Sequence, residues 1–424
     1  MTHIEQMIQD MCPNGVEFKT LGEVTYWDKR FNEVDRSLQP QIRKYHYYLA
    51  NELEELESPT GTIKILYTSN RIAYADEETV AENVVDAEVV AIPWGGNANI
   101  KYFKGKFITA DNRIAVVRDP SILSTKFVYY WLTKNQAEID SYYRGAGIKH
   151  PSMLKVLSLP IPLPPIEIQK KIVECLDKFS ALAAELQAEL QAELQMRRKQ
   201  YEYYRTQLLT PHSDCNSATK SDDAQWEWKT LGEIGTFTRG RRFVRTDIVD
   251  EGQPCIHYGD MYTYYGLATD HARTHLPKDF PVKLRYAEKG DVIIVGAGEN
   301  DMDIGVGCVW EGDEPVAVHD ACYIFKHHQN PRYISHYLRT LDYHLQIKKS
   351  VSTAKICAIS PEGIAKAKIP LPSLEEQARI VSILDKFEAL TTSLSDGIPA
   401  EQAAQQKRYE YYRDLLLTFD RKAV

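Results

Sequence analysis

The stretch Ile161-Pro-Leu-Pro164, followed by Gln169, Ile172, Val173 and Leu176-Asp-Lys-Phe179, decides how the chain is organised, because it occurs twice. Its second copy is Ile369-Pro-Leu-Pro372 with Gln377, Ile380, Val381 and Leu384-Asp-Lys-Phe387. Outward from these, Phe18-Lys-Thr-Leu-Gly-Glu-Val24 is matched by Trp228-Lys-Thr-Leu-Gly-Glu-Ile234, and Tyr201-Glu-Tyr-Tyr-Arg205 by Tyr409-Glu-Tyr-Tyr-Arg413. Three matches in one order, at a period near 208 residues, mean an internal duplication. Between the blocks the halves diverge. Short apolar runs of strand type still recur at residues 63–67, 89–92, 114–117, 292–295 and 322–325. Val128, Trp131 and Leu132 in one half, and Ile334, Tyr337, Leu338, Leu341 and Leu345 in the other, fall on helical faces. Each half is expected to be a mixed α+β domain followed by a long helix.

Both long helices have marked starts. Pro160, Pro162, Pro164 and Pro165 precede the first; Pro370, Pro372 and Ser373 precede the second, with Ser373 and Glu376 in capping-box spacing. Ile172, Leu176, Phe179, Ala183, Leu186 and Leu190 follow a 4-3-4-3-4 rhythm that Ile380, Leu384, Phe387, Thr391, Leu394 and Ile398 repeat. That rhythm predicts a coiled-coil seam between the helices; the plainer alternative lays each helix on its own domain. A helix over residues 166–210 would span somewhat under ~70 Å and act as a spacer. Asp396-Gly-Ile-Pro399 predicts a kink or restart in the second helix. The first carries instead the triplicate Ala184-Glu-Leu-Gln187, Ala188-Glu-Leu-Gln191 and Ala192-Glu-Leu-Gln195, all good helix formers. It is either a plain low-complexity helix or a ruler adding about 6 Å per copy. The expected borders are 1–160 and 213–368 for the domains, 161–212 and 369–424 for the helices.

With 424 residues the chain has room for two or three ordinary domains. No apolar run nears the roughly 20 residues of a membrane span, and the first residues lack a secretory pattern, so a cytoplasmic protein is expected. Seven scattered cysteines without a C-x-x-C pair are expected to be reduced thiols. The net charge of −8 argues against indiscriminate coating of nucleic acid but leaves local reading open. Charge is uneven: Arg239-Gly-Arg-Arg-Phe-Val-Arg245 is strongly basic, Glu52-Leu-Glu-Glu-Leu-Glu57 strongly acidic.

Catalytic signatures are missing. The sole Asn-Pro, at Asn330-Pro331-Arg332, is not the Asn-Pro-Pro-aromatic loop of an adenine methyltransferase. No phosphate loop occurs, and Gly296-Ala-Gly298 lacks the third glycine of a dinucleotide fingerprint. His271 and His275 have ligand-like spacing without partners, so no metal is expected. What remains suits base edges, where Arg or Lys pairs with guanine and Asn or Gln with adenine. The candidate DNA contacts are Arg43, Lys44, Lys101, Lys104, Arg113, Arg144 and Lys149 in the first domain. In the second they are Arg239, Arg241, Arg242, Arg245, His257, Tyr258, Lys348, Lys349 and Lys355. For any single one, a solvated surface charge is the plainer reading. Tyr201, Tyr203, Tyr204 and Arg205, with Tyr409, Tyr411, Tyr412 and Arg413, put three tyrosines in four positions; these cannot all face one seam, so some pack on a domain or dock a partner.

Taken together, the duplicated Lys-Thr-Leu-Gly-Glu openings, Gly252-Gln-Pro254 with Tyr258-Gly-Asp260, the Ile-Pro-Leu-Pro to Leu-Asp-Lys-Phe segments and the Tyr-Glu-Tyr-Tyr-Arg helix ends resemble the specificity subunit of type I restriction-modification systems. The resemblance covers essentially the whole chain. It implies two target-recognition domains joined by two long antiparallel coiled-coil helices with pseudo-two-fold symmetry, each domain reading half of a split double-stranded DNA site. It also implies a non-catalytic chain on which two methyltransferase subunits dock and which ATP-driven restriction subunits join. S-adenosylmethionine, ATP and magnesium would belong to those partners, and this chain would hold no cofactor. The first domain has no clear match to Tyr258-Gly-Asp260. The N-terminal residues 4–10 stand before the first Lys-Thr-Leu-Gly block as residues 205–209 stand before the second, so the chain resembles a circular permutation in which they are equivalent. A free-standing bipartite DNA-binding regulator is the alternative reading, and a metal-dependent nuclease a third.

Overall fold

Each Lys-Thr-Leu-Gly-Glu block folds as a short strand running into one helical turn, and its strand partner is the other repeated block. Phe18–Thr20 pairs antiparallel with Pro160–Pro162, and Glu227–Thr230 with Lys368–Leu371. The turn is closed by a capping box, in which Glu23 accepts from the Thr20 backbone N–H at 2.6 Å and Glu233 from that of Thr230 at 2.6 Å. The glycine of the motif permits a close approach: a Cβ on Gly22 would meet Leu157 at 3.3 Å, and one on Gly232 would meet Ala365 at 3.2 Å. The computed structural model describes residues 3–211, 226–353, 356–392 and 397–422; Lys355 and Leu394 lie outside them.

The chain divides into two compact units, Met1–Ala188 with Gln402–Val424, and Glu189–Glu401. In the first, strands β1 (Thr25–Trp27), β2 (Ile63–Leu66), β3 (Ala73–Ala75), β4 (Val85–Pro93), β5 (Lys101–Thr109) and β6 (Asn112–Val117) form a sheet in the order β1-β6-β4-β5-β2-β3. In the second, β7 (Gly235–Arg239), β8 (Ala268–Thr269), β9 (Val292–Val295), β10 (Gly307–Trp310) and β11 (Cys322–His327) run β7-β11-β9-β10-β8. The five strands of the second order match the first five of the first, down to the parallel pairing of β2 with β5 and of β8 with β10 amid antiparallel neighbours, and β3 is an added edge strand of the first sheet. The divergent sequences between the repeated blocks therefore build one topology twice, because strand pairing asks for pattern rather than identity.

Six helices matter for the rest: α1 (His3–Met11), α2 (Thr125–Lys134), α3 (Ile166–Leu209), α4 (Pro331–Tyr337), α5 (Leu374–Thr392) and α6 (Ile398–Leu416). The expected long helix is α3, continuous over 44 residues or about 66 Å. The expected interruption is found as well: Gly397 is a bend outside any helix and α6 begins at Ile398, while residues 393–396 lie outside the described residues.

The seam needs correction. Ile172 and Leu176 are fully buried in a core with Phe127, Val128 and Trp131 of α2, and Ile380 and Leu384 in a core with Ile334 and Tyr337 of α4. Each helix therefore begins by lying on its own domain, and the heptad-like rhythm there marks a helix-on-domain face. Further along, antiparallel helix pairing does occur: Phe179 stacks on Tyr412 with centroids 5.8 Å apart, and Phe387 stacks on Tyr204 at 5.2 Å. The two contacts are the same contact, one period apart. Leu186 is half-buried and Leu190 buried.

Repeated polar residues fasten these helices. The buried Gln169 side chain accepts from the Ser124 N–H at 2.9 Å and donates to the carbonyls of Ile122 and Pro164. Gln377 accepts from the Asn330 N–H at 3.0 Å and donates to the Pro372 carbonyl. Asp177 holds Lys126 and Tyr130, as Asp385 holds Arg332 and His336. Gln377→Ala leaves two buried backbone groups unpaired, at a cost of about 2–4 kcal/mol. Thermal melting is expected to show the transition of the second unit lowered by roughly 5–10 °C; an unchanged melting curve would contradict the clamp.

The permutation reading is corrected in one respect. Leu209 and Leu417, one period apart, are both buried in their respective cores, so the end of α6 fills the place of the end of α3. The N-terminal helix α1 is an added layer, packing Ile4, Met7 and Ile8 on the same core as Leu417. The Val16 N–H bonds to the Asp420 carbonyl at 2.9 Å, which ties the start of the chain to the segment after α6.

Candidate nucleic-acid interface

Equivalent loops of the two sheets enclose a cleft in each unit. In the first, the cleft of about 670 Å³ is lined by Lys29 and Arg30 from the loop after β1, by Trp94 just beyond β4, and by Tyr142, Arg144 and His150 from the hairpin that pairs Tyr143–Arg144 with His150–Pro151. In the second, the cleft of about 820 Å³ is lined by Arg239, Arg242 and Arg245 at and after β7, by Ala297 and Gly298 beyond β9, and by His257, Tyr258 and His319. The hairpin of Ser352–Thr353 with Cys357–Ala358 pairs with Ala297–Gly298 there, just as the Gly96 N–H bonds to the Lys149 carbonyl at 3.0 Å in the first unit. The scaffold is shared while the lining differs.

Each cleft has an aromatic floor. Trp94 stacks on His150 with centroids 5.0 Å apart, and Lys29, at 5.1 Å, and Arg113, at 5.0 Å, also approach its ring. In the second unit His257 and His319 are 4.7 Å apart, with Phe243 and Tyr258 packed on His319. Burial holds both histidines below the ordinary imidazole range, favouring the neutral form. Their hydrogen bonds fix the tautomers. His319 donates from Nε2 to the Phe243 carbonyl at 3.0 Å and accepts from the Ala321 N–H at Nδ1, while His257 accepts from the Gly259 N–H at Nδ1, leaving its proton on Nε2. His150 bonds through Nδ1 to the Trp94 carbonyl at 2.7 Å, so in neutral form its Nε2 is an acceptor.

Among the sequence-nominated residues, Arg144 and Lys149 are exposed on the hairpin beside the first cleft, and Arg239, Arg241, Arg242 and Arg245 are exposed around the second, whose wall contains His257 and Tyr258. Lys348 and Lys349 are exposed on the turn leading into the second hairpin. Arg43 and Lys44 are exposed on the loop beside β1. Two basic residues of β5 are engaged within the fold: Lys101 donates to the Thr68 carbonyl at 2.9 Å, with burial pulling it down to about 8, and Lys104 reaches Glu88 at 3.5 Å. Arg113 is a correction. It is 1 % exposed, paired with Asp28 at 2.8 Å and with Asp111, and packs on the Trp94 ring at 5.0 Å rather than facing solvent. Lys29, Arg30, Trp94, His150 and His319 stand outside the sequence-based candidates; Lys29-Arg30 follows its repeated block much as Arg239 to Arg242 follow theirs, a signal the sequence does carry.

The Tyr-Glu-Tyr-Tyr-Arg ends divide their tasks. Tyr201 bonds to His336 Nδ1 at 3.0 Å and Tyr409 to the Ser180 hydroxyl at 3.0 Å, while Tyr204 and Tyr412 make the stacks already described. Arg205 packs on the Tyr201 ring and pairs with Glu202, and Arg413 pairs with Asp414 at 2.8 Å. Tyr203 and Tyr411 remain exposed, at 61 % and 64 %.

Three features of the described residues bear on other chemistries. His336, Asp385 and Glu388 come within ligand distance of one another, but both His336 ring nitrogens already bond, to Tyr201 and to Asp385 at 3.0 Å, so the cluster is a clamp between helices. His271 is engaged by Asp270 and Tyr264 rather than by His275. Against the expectation that no Pro-Cys pair of the cytosine methyltransferase kind occurs, Pro254-Cys255 is one, but it lies in the strand Gln253–Ile256 with its thiol fully buried and pushed up to about 11, the wrong state for a nucleophile. Among the described residues, no helix is long and apolar enough to cross a membrane.

A family profile described as the type I restriction modification DNA specificity domain matches residues 13–196 and again 224–402. A Haemophilus influenzae chain named as a type I restriction enzyme specificity subunit is 31% identical over 370 residues, covering 84% of this chain and 90% of its own length. A type I restriction enzyme specificity subunit of Escherichia coli is 30% identical over 420 residues, covering 94% and 98%. A solved structure described as concerning complex assembly and conformational transition of the type I R-M system shares the fold, with TM-score 0.60, 16% identity, and coverage of 96% of this chain and 98% of that one.

Proposed function

The chain belongs to the type I restriction-modification DNA specificity family, and from that premise we propose that it reads a bipartite double-stranded DNA target without catalysing any step itself. One observation carries the reading: two topologically equivalent clefts have matched scaffolds but unmatched basic and aromatic linings, as expected of two readers of different half-sites. Arginine side chains suit guanine edges and phosphates, and the imidazoles of His150, His257 and His319 add hydrogen-bonding groups to the two linings. Two methyltransferase subunits dock on the helices, with Tyr203 and Tyr411 the most exposed tyrosines of the repeated ends, and restriction subunits join that complex. S-adenosylmethionine, ATP and magnesium act on the partners. The assembly works in the cytoplasm.

The test compares DNA binding by the isolated chain with binding by its complex with the methyltransferase subunit. Binding alone is expected to be weak and the complex tight, with log affinity falling against log salt by about 0.9 per neutralised phosphate. Replacement of Arg239, Arg242 and Arg245 by alanine should lower that slope. Tight, sequence-specific binding by the isolated chain would favour a free-standing regulator instead.

A further inference from the structure

The two hairpins beside the clefts share a feature that the repeated blocks do not include. Ile148 and Ile356 stand one period apart, 208 residues, and are the first residues of Ile148-Lys-His-Pro-Ser and Ile356-Cys-Ala-Ile-Ser. Both are exposed, at 72 % and 58 %. Ile148 sits beside the Trp94 end of its cleft, since a Cβ on Gly95 would meet its Cγ2 at 2.8 Å. Ile356 lines the second cleft directly.

The backbone around them is held. The Ile359 N–H bonds to the Gly296 carbonyl at 2.9 Å, as the Gly96 N–H does to Lys149, so each hairpin is fastened to the strand end that forms its cleft. At Gly145 the backbone has φ of +149°, and a Cβ there would meet the Ile148 carbonyl at 2.8 Å, which fixes the turn that presents Ile148. The neighbours are mostly cationic: Arg144 and Lys149 share the first hairpin, and Arg239, Arg242 and Arg245 line the second cleft with Ile356, where Glu299 and Asp320 are the acidic members and Arg239 pairs with Asp320, while Lys348 and Lys349 precede the second hairpin. A lone exposed isoleucine needs no explanation, but two at one symmetry-related position, each on a fastened hairpin among cations, do.

We propose that Ile148 and Ile356 are apolar base contacts, each meeting the 5-methyl group of a thymine in the half-site read by its own domain. This rests on the DNA-reading function proposed above. Surrounding lysines and arginines bring the hairpin to phosphates, and in the major groove the thymine methyl is the one apolar feature that a base edge presents.

The experiment uses the complex of the full chain with its methyltransferase subunit and duplexes carrying the mapped target. Thymines of one half-site are replaced by deoxyuridine, which deletes only the methyl group. Deoxyuridine in one half-site is expected to weaken binding by about fourfold, the worth of one buried methyl. Ile356→Ala should abolish that sensitivity for the half read by the second unit, and Ile148→Ala for the other half. Each variant should leave the opposite half unaffected, and because both side chains are exposed neither change should disturb folding. The proposal is overturned if the variants bind and methylate like the parent, if they weaken thymine and deoxyuridine duplexes equally, as a wedge between base steps would, or if a half-site holds no A·T pair. Failure of the parent complex to bind any specific duplex would instead overturn the DNA-reading function itself.

Discussion

A chain lacking residues 188–191 is expected to direct methylation to sites whose half-sites are unchanged and whose gap is altered by about one or two base pairs. The three tetrapeptides lie within the continuous helix α3 and straddle the division between the two units at Ala188 and Glu189. Within them the alanine, glutamate and glutamine residues flanking Leu190 are exposed, whereas Leu190 and Leu194 are buried. Removing one tetrapeptide sets Leu194 in the place of Leu190 and leaves the surrounding pattern intact, so the helix should persist. It shortens by about 6 Å and turns by about 40°. Original sites should lose methylation by roughly a thousandfold, because a misplaced half-site forfeits several base-pair contacts at about 1–3 kcal/mol each. A changed half-site with an unchanged gap would show that the helix is no ruler.

Where the sequence was informative, it was so because one residue type had one physical task. Gly397 and Pro399 mark a helix boundary, and α6 begins there with Pro399 in its first turn. The paired Lys-Thr-Leu-Gly-Glu and Ile-Pro-Leu-Pro blocks marked a duplication, although nothing in them announced that they form a ladder with each other. Periodicity misled at Ile172 and Leu176, since a helix buried on a domain and a helix buried on another helix need the same apolar spacing. Charge misled at Arg113, which looks in sequence like any other basic residue until Asp28, Asp111 and Trp94 arrive from distant segments. The clefts were least visible of all. They are made by loops that converge only when the strands pair, and their linings differ between the halves, so Trp94, His150 and His319 carry no repeated signature.

The central claim is that each unit reads its own half of the target, and exchanging residues 213–368 for the corresponding segment of another family member tests it most directly. The exchange leaves Gln169, Asp177, Gln377 and Asp385 in place, so the helices keep their own half of each clamp. It replaces Arg239, Arg242, His257, Tyr258 and His319 and with them the whole second cleft. Methylation at the original sites should fall by roughly a thousandfold through loss of one half-site's contacts. New sites should appear that keep one original half and the original gap. Methylation-sensitive sequencing of DNA from cells expressing the chimera with its methyltransferase subunit is the measurement. One half-site replaced and the other retained is the result predicted here; both halves changed, or neither, would contradict it.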